Sequence, residues 1–79
     1  MPRGLNNWDF YDVEKFLKKH GFRLSHTRGG HHYYVAVIGG ITRQVLVSFH
    51  GSKAISLRDL KSMIDQSGIP KKEWGYSLI

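Results

Sequence analysis

An α+β fold of order α-β-β-β-α is what this chain predicts, a three-stranded antiparallel sheet with two helices on one face. Three observations carry it. Apolar residues recur at helical spacing near both ends, at Phe10, Val13, Phe16 and Leu17 and again at Leu57, Leu60, Met63 and Ile64. Between them lie three runs of strand character, two of them rich in aromatic and β-branched residues. Two glycine pairs, Gly29-Gly30 and Gly39-Gly40, punctuate those runs. Two helices and a single sheet layer bury their apolar sides only against each other, so both helices must cover the same face.

The elements follow in order. Asp9 suits a helix N-cap, with Asp12 reinforcing the first turn. Lys18, Lys19 and His20 suit the negative end of the helix dipole, and Gly21 is a C′ stop, so the first helix spans about Phe10 to His20. Phe22 to Thr27 alternates, with Phe22, Leu24 and His26 on one face and Arg23, Ser25 and Thr27 on the other. A second strand runs from His32 to Ile38 and a third from Ile41 to about Phe49. After a loop from His50 to Ile55, Ser56 caps the second helix, Leu57, Leu60, Met63 and Ile64 line its core face, and Gly68 ends it. Pro70 is placed to start one further short turn.

Register follows from parity. A two-residue Gly39-Gly40 turn pairs Ile38 with Ile41, and opposed residues share a face. The apolar set Ile41, Val45, Val47 and Phe49 marks the core face, which puts Ile38, Ala36, Tyr34 and His32 inward. His31, Tyr33 and Ser48 then face outward, with His31 opposite Ser48 and diagonal to His50. To keep Phe22 and Leu24 inward, the first hairpin needs an odd loop, and Arg28-Gly29-Gly30 supplies three residues.

Composition narrows the function. Seventy-nine residues make one domain, with a folded core over about 8–69 and a short turn and tail over 70–79. The segments Met1–Asn7 and Trp74–Ile79 are the most prone to fray, although Trp74 and Tyr76 can pack back onto the domain. There is no cysteine, hence no disulfide framework and no thiolate metal ligand. No apolar run approaches the ~20 residues needed to cross a bilayer. Residues Met1 to Phe10 lack the apolar core of a signal peptide, so a cytoplasmic protein is expected. Twelve Lys and Arg against six Asp and Glu leave a net charge of +6, a balance that favours polyanions.

The chemistry concentrates in Arg28-Gly29-Gly30-His31-His32-Tyr33-Tyr34. The glycines let the backbone approach a ligand closely, with N–H groups free to face a phosphate. A plainer alternative is a hairpin turn with polar residues at the mouth of a strand. An outward histidine beside such a turn, on a basic surface, suits RNA strand cleavage. Neutral imidazole takes the proton of a ribose 2′-OH, and the freed oxygen attacks the neighbouring phosphate. Cations or backbone N–H groups stabilise the charge that develops there, without a metal or cofactor. Arg28, Gly29, Gly30, His50 and Lys53 are the candidate RNA contacts, His50 reading equally well as a plain loop residue. A His31/His50 metal site has no carboxylate to complete it. His32 reads as a partly buried structural residue, as do His20 and His26.

The element order is that of double-stranded-RNA-binding domains. More specifically, the chain resembles the HicA-type toxins of prokaryotic toxin–antitoxin pairs, small mRNA-cleaving proteins of that fold, from the first helix to about Ile69. Gly29-Gly30-His31-His32 stands where the family usually has Gly-Ser-His-His, so Gly30 replaces a serine. His50 to Lys53 with Ile55, followed by Leu57 to Ile69, is similar to the family's basic loop and second helix. The resemblance implies an endoribonuclease with His31 catalytic, and a HicB-like antitoxin that covers the His31 face. Two readings compete with it: a non-catalytic double-stranded-RNA-binding module, and a structural subunit that only pairs with another protein. Against the first, the second helix opens Ser56-Leu57-Arg58-Asp59 and lacks the lysine-rich start that grips phosphates.

Overall fold

The computed structural model describes residues 8–49, 51 and 53–75. Helix α1 (Phe10–Lys19) is followed by strands β1 (Arg23–Arg28), β2 (His31–Ile38) and β3 (Ile41–Ser48), then helix α2 (Leu57–Ser67) and a 3-10 helix (Lys71–Trp74). The sheet is antiparallel, in the order β1-β2-β3. This is the α-β-β-β-α arrangement that the sequence predicts.

Local chemistry sets the helix ends. The Asp12 N–H donates to Asp9 Oδ1 at 3.0 Å while the Asp9 N–H donates to Asp12 Oδ2 at 2.9 Å, a reciprocal capping box that satisfies two amides at the start of α1. Ser56 Oγ accepts from the Asp59 N–H at 3.2 Å at the start of α2, and Gly68 closes that helix in the left-handed conformation. Val13 and Leu17 from α1, Tyr34 from β2, Val45 and Val47 from β3, and Leu60 from α2 are fully enclosed and form the centre of the core. α2 lies chiefly over β3, which α1 also contacts. β1 stands at the uncovered edge, with all six of its residues exposed.

The β2–β3 register runs from Ile38 opposite Ile41 to His31 opposite Ser48, as parity requires. Both Gly39 and Gly40 have positive φ, the combination a two-residue I′ turn demands. The first hairpin differs from expectation. Its turn is the two-residue pair Gly29-Gly30, Arg28 belongs to β1 and pairs with His31, and the strand starts at Arg23 rather than Phe22. Parity is restored by a β-bulge between Leu24 and His26: His26 pairs with Tyr33, but Leu24 pairs with Tyr34. The extra residue keeps Leu24 on the core face and moves His26 to the opposite face, reversing the facing that simple alternation assigns to His26. β2 likewise begins at His31, one residue earlier than the periodicity suggests.

Core membership differs at the margins. Leu57, in the first turn of α2, Ile41, at the start of β3, and Phe49, just past its end, are substantially exposed. Trp74 does pack back: it is 1% exposed, with its ring 4.2 Å from Phe16 and 5.5 Å from Trp8. The expectations for Met1–Asn7 and Tyr76 lie outside the described residues.

One polar contact crosses from helix to sheet inside this core. The Tyr34 hydroxyl donates to Glu14 Oε2 at 2.7 Å, and Lys18 Nζ lies 3.6 Å from the same oxygen. Burial, reinforced by the hydrogen bond to Glu14 and by its charge, pushes the Tyr34 phenol well above the usual tyrosine range. The folded state therefore favours the neutral phenol, and that stabilisation is lost as pH rises past the unfolded value of about 10. Tyr34→Phe is expected to cost about 1 kcal/mol at neutral pH, the worth of one hydrogen bond. Its stability should also fall less steeply than the wild type's above about pH 10. Urea denaturation on either side of that pH tests this, and parallel pH slopes would refute it.

Candidate functional site

The turn Gly29-Gly30 delivers Arg28 and His31 as cross-strand partners at the turn end of the first hairpin. Both are exposed. The backbone carbonyl of Gly30 accepts from the Phe49 N–H at 2.7 Å, which ties the turn to the residue following β3. His31 Nδ1 lies 3.2 Å from Ser48 Oγ on the facing strand, so the imidazole is held by one hydrogen bond and stands otherwise in solvent. His32 points the other way. It is half-buried, with its ring 4.8 Å from Phe10 and 6.0 Å from Phe49. One histidine of the pair thus faces solvent and the other packs under α1.

Lys53 is exposed on the loop that leads to α2. That loop is anchored at the start of α1, where Ala54 bridges Asp9 and the Ile55 N–H donates to the Trp8 carbonyl at 2.7 Å. His50 lies outside the described residues. The structure therefore draws Arg28, Gly29, Gly30 and His31 into one patch and holds Lys53 on a separate loop.

Electrostatics favour an anion on this face. Pairing places Arg23, His26, Arg28, His31, Tyr33 and Ser48 together on the side away from the helices. None of the chain's six carboxylate side chains lies in a strand: Asp9, Asp12, Glu14, Asp59, Asp65 and Glu73 all belong to the helices or their caps. Carboxylates are thus confined to the helices and their caps, the helices also carry most of the lysines, and the open face carries arginine and histidine with no carboxylate among its strand residues. Among the described residues, no three His, Asp or Glu side chains are grouped so as to hold a metal ion, and no helix is long and apolar enough to cross a membrane.

A family model for the HicA toxin of bacterial toxin-antitoxin systems matches residues 10–69, from the first residue of α1 to just past α2. The chain belongs to the HicA toxin family. It is accordingly the toxin of a toxin–antitoxin system, and an antitoxin is its partner. Neither the curated proteins nor the solved structures contain a significant match to the chain.

The matched region includes the Gly29-Gly30 turn. Gly29 has a φ of +60, whereas Gly30 has no positive φ, the pattern of a II′ turn in which only the first position needs glycine. A Cβ built on Gly30 meets nothing within 4 Å. The backbone therefore accommodates a serine there without rearrangement.

Two residues of the open face were not among the sequence candidates. His26 and Tyr33 stack across β1 and β2 with ring centroids 4.4 Å apart and planes 8° apart. Tyr33 was legible as outward from the β2–β3 register. His26 was not, since its facing depends on the bulge, for which Ser25 and its neighbours carry no distinctive sequence signal.

The turn generates a sharp contrast. Gly30→Ser should leave stability within about 0.5 kcal/mol of wild type, as for an unencumbered surface site. Gly29→Ala should cost about 1–2 kcal/mol, because a side chain is forced into the left-handed region. Thermal melts of the two variants check this; equal losses would mean that the turn is not of the II′ kind.

Proposed function

We propose that this HicA toxin is a metal-independent endoribonuclease that cleaves mRNA in the cytoplasm, with His31 as the general base. The observation that carries the reading is the state of His31: an exposed imidazole on a carboxylate-free strand surface, oriented by Ser48 and beside a glycine turn. With the Nδ1 proton directed at Ser48 Oγ, Nε2 keeps the lone pair that accepts the 2′-OH proton. The 2′-oxygen attacks the adjacent phosphorus, the bond to the 5′-oxygen breaks, and that oxygen takes a proton from water. A 2′,3′-cyclic phosphate and a 5′-hydroxyl are the products. Arg28, opposite His31, and the N–H groups of the turn are the groups suited to the charge on the phosphoryl oxygens, and Lys53 and His50 extend the contact to neighbouring phosphates.

His31→Ala is expected to abolish RNA cleavage and growth arrest while leaving the melting temperature almost unchanged, since an exposed side chain supports little packing. Cleavage by the wild type should persist in excess EDTA and fall as acid protonates the imidazole, which then has no lone pair to offer. A folded His31→Ala protein that still cleaves, or activity that vanishes with chelator and returns with a divalent ion, would overturn the mechanism. Binding of duplex RNA without any cleavage would favour the non-catalytic module instead.

The same face is the surface an antitoxin has to block. We infer a HicB-like partner that lays acidic or polar side chains over it and shields His31, with an association that weakens as salt rises. Hydrogen exchange on the free and bound toxin should show protection along Arg28–Val35 and residues 50–53. Protection confined to the solvent sides of α1 and α2 would rule out direct occlusion.

A further inference from the structure

We propose that the stacked His26–Tyr33 pair is a subsite for the base of an unpaired nucleotide, which makes single-stranded RNA the substrate class; the inference rests on the nuclease reading only for the identity of the polymer. The pair is a consequence of the same bulge that restores parity in β1. The bulge between Leu24 and His26 rotates His26 out of the core-side row, and Ser25 Oγ lies 3.1 Å from His26 Nδ1 and holds the ring. The two rings lie parallel within 8° at 4.4 Å, so each covers one face of the other. β1 is an edge strand, and His26 is exposed on it. The outer face of the stack is therefore open to a third flat ring.

A nucleobase meets that description. Bases stack on aromatic side chains with little regard to sequence, and unpaired RNA bases are commonly read in this way on sheet surfaces. Bases inside a duplex already stack on one another and have no free face to give. Position supports the same occupant. Tyr33 is two residues from His31 on the same side of β2, a separation of about 6.8 Å along the strand. A base on the stack would thus belong to a nucleotide close to the phosphate that His31 addresses. Arg28 and Arg23 flank His26 on the same face of β1, and no carboxylate lies in any strand, which complements a phosphate backbone running along this edge.

The test separates stacking from cleavage by measuring binding alone. Full-length protein is titrated into a fluorescently labelled, single-stranded RNA with 2′-O-methyl riboses, which the 2′-OH route cannot cut, and into the blunt duplex of the same sequence. The single strand should bind at least tenfold more tightly. His26→Ala should weaken single-strand binding roughly 5- to 150-fold, the range for losing one base stack. His26→Phe should retain it. His26→Leu, which keeps apolar contact with Tyr33 but has no flat face, should lose it as His26→Ala does, and Val37→Ala should bind as wild type. Duplex and single strand bound equally, or His26→Ala and His26→Leu within twofold of wild type, would overturn the proposal. Cleavage of unmodified RNA is scored separately. Wild-type protein that binds with this His26 dependence but never cuts would remove the nuclease reading and leave the stacking site standing.

Discussion

The register of the β2–β3 hairpin is the constraint on which the rest depends. Side chains alternate along a strand with a period of two, so a slip of one residue would exchange the two faces completely. Gly39 and Gly40, both at positive φ, hold Ile38 opposite Ile41, and every pair up to His31–Ser48 follows from that contact. Tyr34, Val45 and Val47 thereby enter the core, while His31 is left in solvent against Ser48. The same alternation that buries the apolar residues exposes the histidine. Stability and site are thus specified by one turn, at the end of the sheet remote from the histidine.

The first hairpin solves a parity problem in a different way from the second. Its turn is two residues long, which alone would direct Leu24 away from the helices. The bulge at Ser25 absorbs the mismatch within the strand, so both ends of β1 meet β2 with the correct facing. A bulge also twists and blunts an edge, which protects an uncovered strand such as β1 from pairing with another chain. Its second consequence is the position of His26, stacked on Tyr33 at the rim of the open face.

The sheet is free of carboxylates. Carboxylates serve the helices, where Asp9 and Asp12 cap α1, Asp59 lies in the first turn of α2, and Glu14 joins α1 to Tyr34. The strands keep only arginine and histidine as ionisable groups apart from tyrosine. A sheet face without carboxylates favours an anion over a cation, which is the electrostatic basis of the proposed function. Gly30, beside His31, has no positive φ, so its backbone does not require glycine. Ser48 on the neighbouring strand holds the His31 ring through a hydrogen bond at Nδ1.

Much of this was legible in the residues themselves, because local rules dominate where they act. The capping pairs Asp9–Asp12 and Ser56–Asp59, the Gly68 stop, the Gly39-Gly40 hairpin and the opposite facings of His31 and His32 all follow from periodicities and turn chemistry confined to a few neighbouring residues. Membership of the HicA family was likewise readable from the Gly-Gly-His-His turn and the second helix. Tertiary structure decided what depends on coverage and on small departures from periodicity. Packing between elements distant in sequence leaves Leu57 and Ile41 exposed and encloses Trp74 against Trp8 and Phe16, and no local pattern encodes that packing. A bulge inserts one residue without a sequence signature, so the length of the first turn and the facing of His26 emerge only when β1 is laid against β2.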